Sequence, residues 1–374
     1  MTASAADPKS FSTAIGRWAG VGPYYAMFPV DFAFQVIRDY TDEGESIIDP
    51  FAGRASSVYA ASVQGRRGFG VEINPVGWVY AQAKLSPGNP EYVIRRIKQI
   101  MGYAMDEKNL NMDSLPEFFS WCYAGDVLKF LLSARQRLNW ATSSTDATVM
   151  ALILVYLHGK RDQSLSNQMR QGKAMSPEYS VRWWQENGML PPAVDPVDFL
   201  VKRVEWRYAK GLPSLTASRV VMGDSTQVIR RLRVHDRSCS TQQYKLLFTS
   251  PPYYGVTNYY YDQWLRLWML GSSSLPVYGE SKWKRRFDNR IFYKELLSAV
   301  FGGCAPHMTP DAIIYVRTDA REFTLQTTLE VLQEAFPNKK VDIQLRPLAK
   351  KTQTALFGDS SAKPGEVDII LTPA

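Results

Sequence analysis

The chain has 374 residues, 45% of them hydrophobic and 21% charged, enough apolar content for the core of one large or two modest globular domains. Three widely spaced cysteines (Cys122, Cys239, Cys304) and three histidines offer neither a disulfide framework nor paired metal-ligand spacing, so a reducing, intracellular setting without a metal is expected. A net charge of +8 favours a polyanionic partner without naming it.

In chain order, residues 1–23 read as an N-terminal arm without the charged-then-apolar order of a signal peptide. The segment "FPVDFAFQVIRDY" (28–40) carries apolar side chains at helical spacing behind a first-turn proline. Next, "ESIIDPFAGRASSVYAASVQGRRGFGVEINP" reads as strand, tight glycine turn, helix and second strand, with Glu72 at the second strand's C-terminal end. Residues 76–217 change character: "PEYVIRRIKQIMGYAM", "GDVLKFLLSARQRLNW", "TDATVMALILVYLHGK" and "DPVDFLVKRVEWRYAKG" predict a largely helical insertion, a candidate target-recognition region. Its apolar run "VMALILVYL" is too short to span a bilayer, and no membrane partner is expected. Strand signals resume in "SRVVMGD", "YKLLFTSPPY", "DAIIYVRTD", "KVDIQLRPL" and "EVDIILTPA", with "QWLRLWMLG", "FYKELLSAVFGGC" and "LQTTLEVLQEAF" reading as helices between them. The prediction is an α/β fold: a doubly wound, mostly parallel sheet built from residues 24–75 and 218–374, interrupted by the insertion.

The turn "DPFAGRAS" after the first strand resembles half of a dinucleotide fingerprint, but it supplies one glycine, Gly53, where a pyrophosphate cradle needs three. It suits a ligand without phosphates. S-adenosyl-L-methionine is one: its ribose hydroxyls suit the carboxylate of Glu72, and its ammonium suits Asp49. The competing reading has Asp49 capping its own turn and Glu72 solvated.

In a doubly wound sheet, ligands gather where the strand order reverses, beyond the strands' C-terminal ends. "YKLLFT" followed by Ser250, Pro251, Pro252 and Tyr253 falls there. Neither proline can donate a backbone hydrogen bond and each extends the residue before it, so the segment projects two acceptors, Ser250 Oγ and the Pro251 carbonyl. Such a holder fits a group with two N–H donors, the exocyclic amino group of cytosine or adenine. Accepting both hydrogens frees the nitrogen lone pair for attack on a sulfonium methyl, while Tyr253 stacks on a base drawn out of its duplex. The competing reading is a proline turn with Tyr253 packed in the core.

Taken together, "DPFAG", "GVEINP" and "TSPPY" resemble the amino-group DNA methyltransferases, the family that modifies cytosine N4 or adenine N6. The resemblance covers the sheet portions and implies a class I S-adenosylmethionine-dependent, Rossmann-like fold in a cytoplasmic protein of prokaryotic or phage type. It implies cofactor contacts at Phe28, Pro29, Asp49, Phe51, Gly53, Glu72 and Asp224, and catalysis by Ser250–Tyr253. The chain departs from the family in having Ala55 where a second glycine is common. Serine as the first catalytic residue is commoner among cytosine-N4 members, which favours that base over adenine N6. Methylation of RNA or protein, and an inactive cofactor-binding subunit, are the alternatives. Cytosine C5 chemistry needs a Pro-Cys nucleophile that the chain lacks.

DNA contact is expected from "SKWKRRFDNR", through Lys282, Lys284, Arg285, Arg286 and Arg290, as a phosphate-gripping segment beside the pocket. Residues 160–185 are basic and rich in Asn and Gln, side chains that read base edges, although Trp183-Trp184 fits an anchor equally well. Tyr254, Tyr259, Tyr260 and Tyr261 line the pocket or pack the helix beyond it.

Overall fold

The computed structural model describes residues 11–23, 29–106, 112, 114–235, 243–255, 259–276, 284–346 and 365–374. Seven strands are found among them: β1 Ser46–Asp49, β2 Arg67–Glu72, β3 Arg219–Met222, β4 Tyr244–Thr249, β5 Met308–Asp319, β6 Lys339–Arg346 and β7 Glu366–Pro373. They form one sheet in the order β3-β2-β1-β4-β5-β7-β6. The first five run parallel, and β7 is antiparallel to both neighbours. This is the doubly wound, Rossmann-like sheet of class I methyltransferases, closed at one edge by a hairpin.

Alternation along the strands shows why both faces are covered. Ile48, Leu247, Ile314 and Val316 pack against Leu297, Val300 and Phe301 of the helix Arg290–Cys304 and Val331 and Leu332 of the helix Glu322–Ala335. Their neighbours Ile47, Leu246, Phe248 and Tyr315 pack against Ala33 and Ile37 of the helix Val30–Tyr40 and Val58 and Ala61 of the helix Ser56–Val63. Period-2 side chains that are apolar on both faces produce the near-continuous apolar runs seen in the sequence. Glycine in β2 admits the second layer closely: a Cβ at Gly70 would sit 2.9 Å from both Ala52 and Val58 side-chain carbons.

The insertion is helical, and its core continues that of the sheet portion. The helix Ser144–Tyr156, which contains most of "VMALILVYL", is buried nearly all round. It shares a cluster with Tyr59, Tyr80, Phe119, Trp184, Trp264 and Trp268. Packing therefore crosses the boundary at residue 76. The helix Pro75–Leu85, which sequence periodicity did not single out, donates from Trp78 Nε1 to the Val220 carbonyl of β3 at 3.0 Å. The arm folds inward too: Trp18, in the helix Ala14–Ala19, is buried against the same cluster.

Candidate active site

The strand order reverses between β1 and β4, and a side-chain hydrogen bond joins their C-terminal ends there: Thr249 Oγ1 donates to Asp49 Oδ1 at 2.6 Å. Asp49 is buried and also accepts from the Phe51 N–H at 3.0 Å and from the Ser57 hydroxyl. Burial pushes its carboxyl up to about 6, and the bonds from Ser57, Thr249 and Phe51 oppose that rise. In this arrangement Asp49 ties its own turn to β4, so the capping role weighed against cofactor contact is present in the structure.

The turn itself is left-handed at two places, with φ of 54° at Gly53 and 60° at Ala55. Ala55 is the only non-glycine with positive φ among the described residues, at the position where the resembled family often has glycine. The Gly53 N–H donates to Glu72 Oε2 at 2.6 Å, and the Asn74 N–H donates to Glu72 Oε1 at 2.7 Å. Burial pushes Glu72 up to about 8 against those backbone bonds. Gly77 lets the following helix approach, since a Cβ there would meet the Gly53 carbonyl oxygen at 2.6 Å. Phe51 packs edge-on against Phe301, and Pro29 precedes the helix Val30–Tyr40. Phe28 lies outside the described residues.

Asp224 follows β3 and caps the next helix: its Oδ1 accepts from the Thr226 N–H at 3.0 Å and hydroxyl at 2.8 Å. Its Oδ2 pairs with Arg286 Nη1 at 2.7 Å. Asp49, Glu72 and Asp224 thus stand at the ends of β1, β2 and β3, and Arg286 is the one cation paired with any of them among the described residues. The carboxyl groups at these three strand ends are suited to the hydroxyls of a ribose and to an ammonium.

On the other side of the reversal, Pro251 and Pro252 are buried, while Ser250 and Tyr253 are half-buried. Ser250 Oγ lies 3.4 Å from the Tyr253 hydroxyl, which donates to Glu366 Oε1 at 3.1 Å. Glu366 opens β7, and its Oε2 lies 3.5 Å from Arg317 Nη1 on β5. Asp368 fixes Arg317 by a two-pronged contact, 2.6 Å from Nε and 2.8 Å from Nη2. Asp368 also accepts from Tyr315 at 2.9 Å and Arg346 at 3.0 Å. Burial alone would raise the Asp368 carboxyl, but these partners, Arg317 foremost, hold it below its usual value. The Arg317 guanidinium lies 3.5 Å from the Phe32 ring centroid. Sequence reasoning missed Glu366, Arg317, Asp368 and Phe32; a charge embedded in each of the apolar strands "IIYVRTD" and "EVDIIL" was the available signal.

The basic segment sits against the catalytic one. The Gly255 N–H donates to the Phe287 carbonyl at 2.7 Å, and the Tyr254 hydroxyl to the Asp288 carbonyl at 2.9 Å. Lys282 lies outside the described residues, and of Lys284 and Arg285 only the backbone, in the helix Lys284–Asp288, is described. Arg290 is exposed, its guanidinium 4.8 Å from the Phe323 ring centroid. Arg286, expected on a phosphate, is engaged instead by Asp224. Tyr254 packs against Phe323 and Tyr293, and Lys173 lies 5.8 Å from the Tyr261 ring centroid; the side chains of Tyr259 and Tyr260 lie outside the described residues.

Residues 160–185 depart from expectation in a similar way. Asn167 is buried and donates to the carbonyls of Trp121 and Met189, Gln171 donates to that of Val155, and Gln168 accepts from the Arg161 N–H. Trp184 is buried with its Nε1 on the Gln168 carbonyl at 2.8 Å, so of the two readings of the Trp pair, this member is an anchor. Among the described residues no cluster of His, Cys, Asp or Glu could hold a metal ion, and no helix is long and apolar enough to cross a membrane.

Residues 6–82 match the model of a DNA methylase family. No curated protein matches the chain. Among solved structures it is similar to the rRNA methyltransferase AviRa from Streptomyces viridochromogenes, at 10% identity and TM-score 0.35 over 97% of this chain and 96% of that one. A TehB-like SAM-dependent methyltransferase from Corynebacterium glutamicum follows at 9% identity and TM-score 0.33, covering 98% and 100%. TrmN from Thermus thermophilus gives 8% identity and TM-score 0.34, covering 98% and 53%. The fold assignment rests on strand order and not on these likenesses. The family matched over residues 6–82 supports the resemblance to amino-group DNA methyltransferases and, with the class I sheet, supports methyltransferase activity with S-adenosyl-L-methionine as the implied cofactor.

Proposed function

We propose that the chain methylates the exocyclic amino group of a DNA base, cytosine N4, drawn out of the duplex into the crevice between β1 and β4. The observation that carries the reading is the placement of Ser250–Tyr253 directly beside the Asp49 turn, joined to it by the Thr249–Asp49 bond.

When bound, S-adenosyl-L-methionine supplies an electrophilic methyl group. Glu72 would take its ribose, Asp224 its adenine side and Asp49 its ammonium, with Pro29, Phe51 and Gly53 lining the turn and Phe28 preceding it. Ser250 Oγ and the Pro251 carbonyl accept the two amino hydrogens, which localises the lone pair on nitrogen. Pro252 keeps the segment extended and Tyr253 presents its ring to the base. No strong base is required, because the nitrogen becomes acidic on methylation and its proton leaves to water. Positioning of the two reactants is the main contribution of the protein. The basic residues Lys282, Lys284, Arg285 and Arg290 supply the phosphate grip, and Arg286 belongs to the cofactor side.

The test is to incubate the protein with unmethylated DNA and labelled S-adenosyl-L-methionine, digest to nucleosides and identify the labelled product by mass. N4-methylcytosine is expected. N6-methyladenine would overturn the base assignment alone; label only in RNA or protein, or none, would overturn the DNA reading.

A further inference from the structure

Around Ser250 the hydrogen bonds have a fixed direction, and a residue outside every motif sets it. Glu366 lies 3.1 Å from the Tyr253 hydroxyl, and that hydroxyl lies 3.4 Å from Ser250 Oγ. An ionised carboxylate only accepts, so the tyrosine proton points at Glu366. The tyrosine oxygen is then left to accept, and the serine proton points at it. With its proton so directed, Ser250 Oγ offers only lone pairs to the crevice.

Glu366 is itself held. Its second oxygen faces Arg317 at 3.5 Å, and Arg317 is fixed by the buried carboxylate of Asp368 at 2.6 Å. A guanidinium only donates, so Glu366 accepts from Arg317 as it does from the Tyr253 hydroxyl.

We propose that Glu366 is a positioning and specificity-determining residue: acting through Tyr253, it fixes Ser250 as an acceptor and so selects a base that presents an amino group over one that presents a carbonyl. This rests on the reading of Ser250–Tyr253 as the amino-group holder. A site wired to accept from N–H discriminates strongly, because a carbonyl placed there would leave two acceptors facing each other.

Glu366→Gln tests it, since the variant keeps shape and loses the acceptor-only character. Arg317 draws the amide oxygen to itself, which turns the amide N–H₂ toward Tyr253 and reverses the chain. The kcat for label transfer to the wild-type acceptor should fall by about tenfold, the size of one hydrogen bond, in Glu366→Gln and in Tyr253→Phe. The double variant should be no slower than either single one, as expected for residues acting in one chain. Thermal midpoint and cofactor dissociation constant should not move. Glu366→Gln turning over at the wild-type rate, or losses that multiply in the double variant, would overturn the proposal. The cycle is run on whichever acceptor the wild type labels, so label in RNA or protein overturns the DNA reading and leaves the Glu366 comparison decisive.

Discussion

The two sides of the crevice hold their polar side chains differently. At the ends of β1 and β2, Asp49 and Glu72 are buried and close on backbone N–H groups of the two adjacent turns and, for Asp49, on the hydroxyls of Ser57 and Thr249. At the end of β4, Ser250 and Tyr253 are half-buried and linked outward, through Glu366 and Arg317, to a distant hairpin strand. The first arrangement couples the site to stability, because its carboxylates are part of the fold. The second couples it to the direction of a proton, because Ser250, Tyr253 and Glu366 are half-buried and pass hydrogen bonds from one to the next.

The largest effect that separates the two sides is expected for Asp49→Ala. Three donors, the Phe51 N–H and the buried hydroxyls of Ser57 and Thr249, lose their acceptor together. Unsatisfied buried donors cost about 1–3 kcal/mol each, so denaturant unfolding should show a loss of several kcal/mol. Cofactor affinity by equilibrium dialysis should fall with it; an unchanged affinity would remove Asp49 from the cofactor's ammonium and leave it a turn-capping residue only.

Tyr253→Ala should act on the other side alone. Losing the stacking face costs roughly 1–3 kcal/mol per base, a rate loss of about tenfold to a hundredfold in label transfer. Cofactor affinity and melting temperature should stay at wild-type values. A matching loss of cofactor affinity would show that the two sides are one unit and break the comparison.

Glu72→Gln sharpens it through pH. Burial raises the folded carboxyl from 4.5 to about 8, so the native state binds its proton more tightly than the unfolded chain. Its contribution to stability is fully present below 4.5 and is lost as pH rises through about 8. Asp49 contributes the same sign over a lower window, from 3.8 to about 6. Melting of the wild type should therefore weaken across both windows, by a few degrees in the upper one, and Glu72→Gln should be flat from about 6 to about 8 while keeping the Asp49 portion.

How much of this was legible depends on the range of the signal. The sheet strands announced themselves because apolar residues on both faces make continuous runs, and Asp49, Glu72, Asp224 and Ser250–Tyr253 stood out because each ends such a run. Glu366 did not, since its partner Tyr253 is 113 residues away and nothing in "EVDIIL" shows which residue opposes it. Asn167 misled for another reason: its polarity suggests recognition, but its side-chain amide donates to the backbone carbonyls of Trp121 and Met189. Arg286 looked like a phosphate contact because its neighbours are basic, and its acid partner lies 62 residues upstream.

That pairing gives the next prediction. Asp224 Oδ2 is engaged by Arg286, so Arg286→Ala frees an acceptor on the cofactor side. Cofactor binding should tighten by about threefold, in keeping with roughly half a kcal/mol to 1 kcal/mol for a partly exposed ion pair. The salt dependence of DNA affinity should keep its slope; a fall of about one in that slope would return Arg286 to the phosphates.

The smallest effect belongs to Ala55→Gly. A left-handed alanine is strained by about 1–2 kcal/mol relative to glycine, yet its methyl group is fully buried against the helix layer, and losing a buried methyl costs roughly 1 kcal/mol. The two terms oppose, so chemical unfolding should place the variant within about 1 kcal/mol of the wild type. Its turn, relieved of strain, should keep the φ it already has, and with it the Gly53 N–H to Glu72 bond that shapes the cofactor side. Cofactor affinity should then be unchanged. A clear gain in affinity would show instead that the alanine distorts the turn, and that the second glycine common in the resembled family serves the ligand directly and not only the backbone.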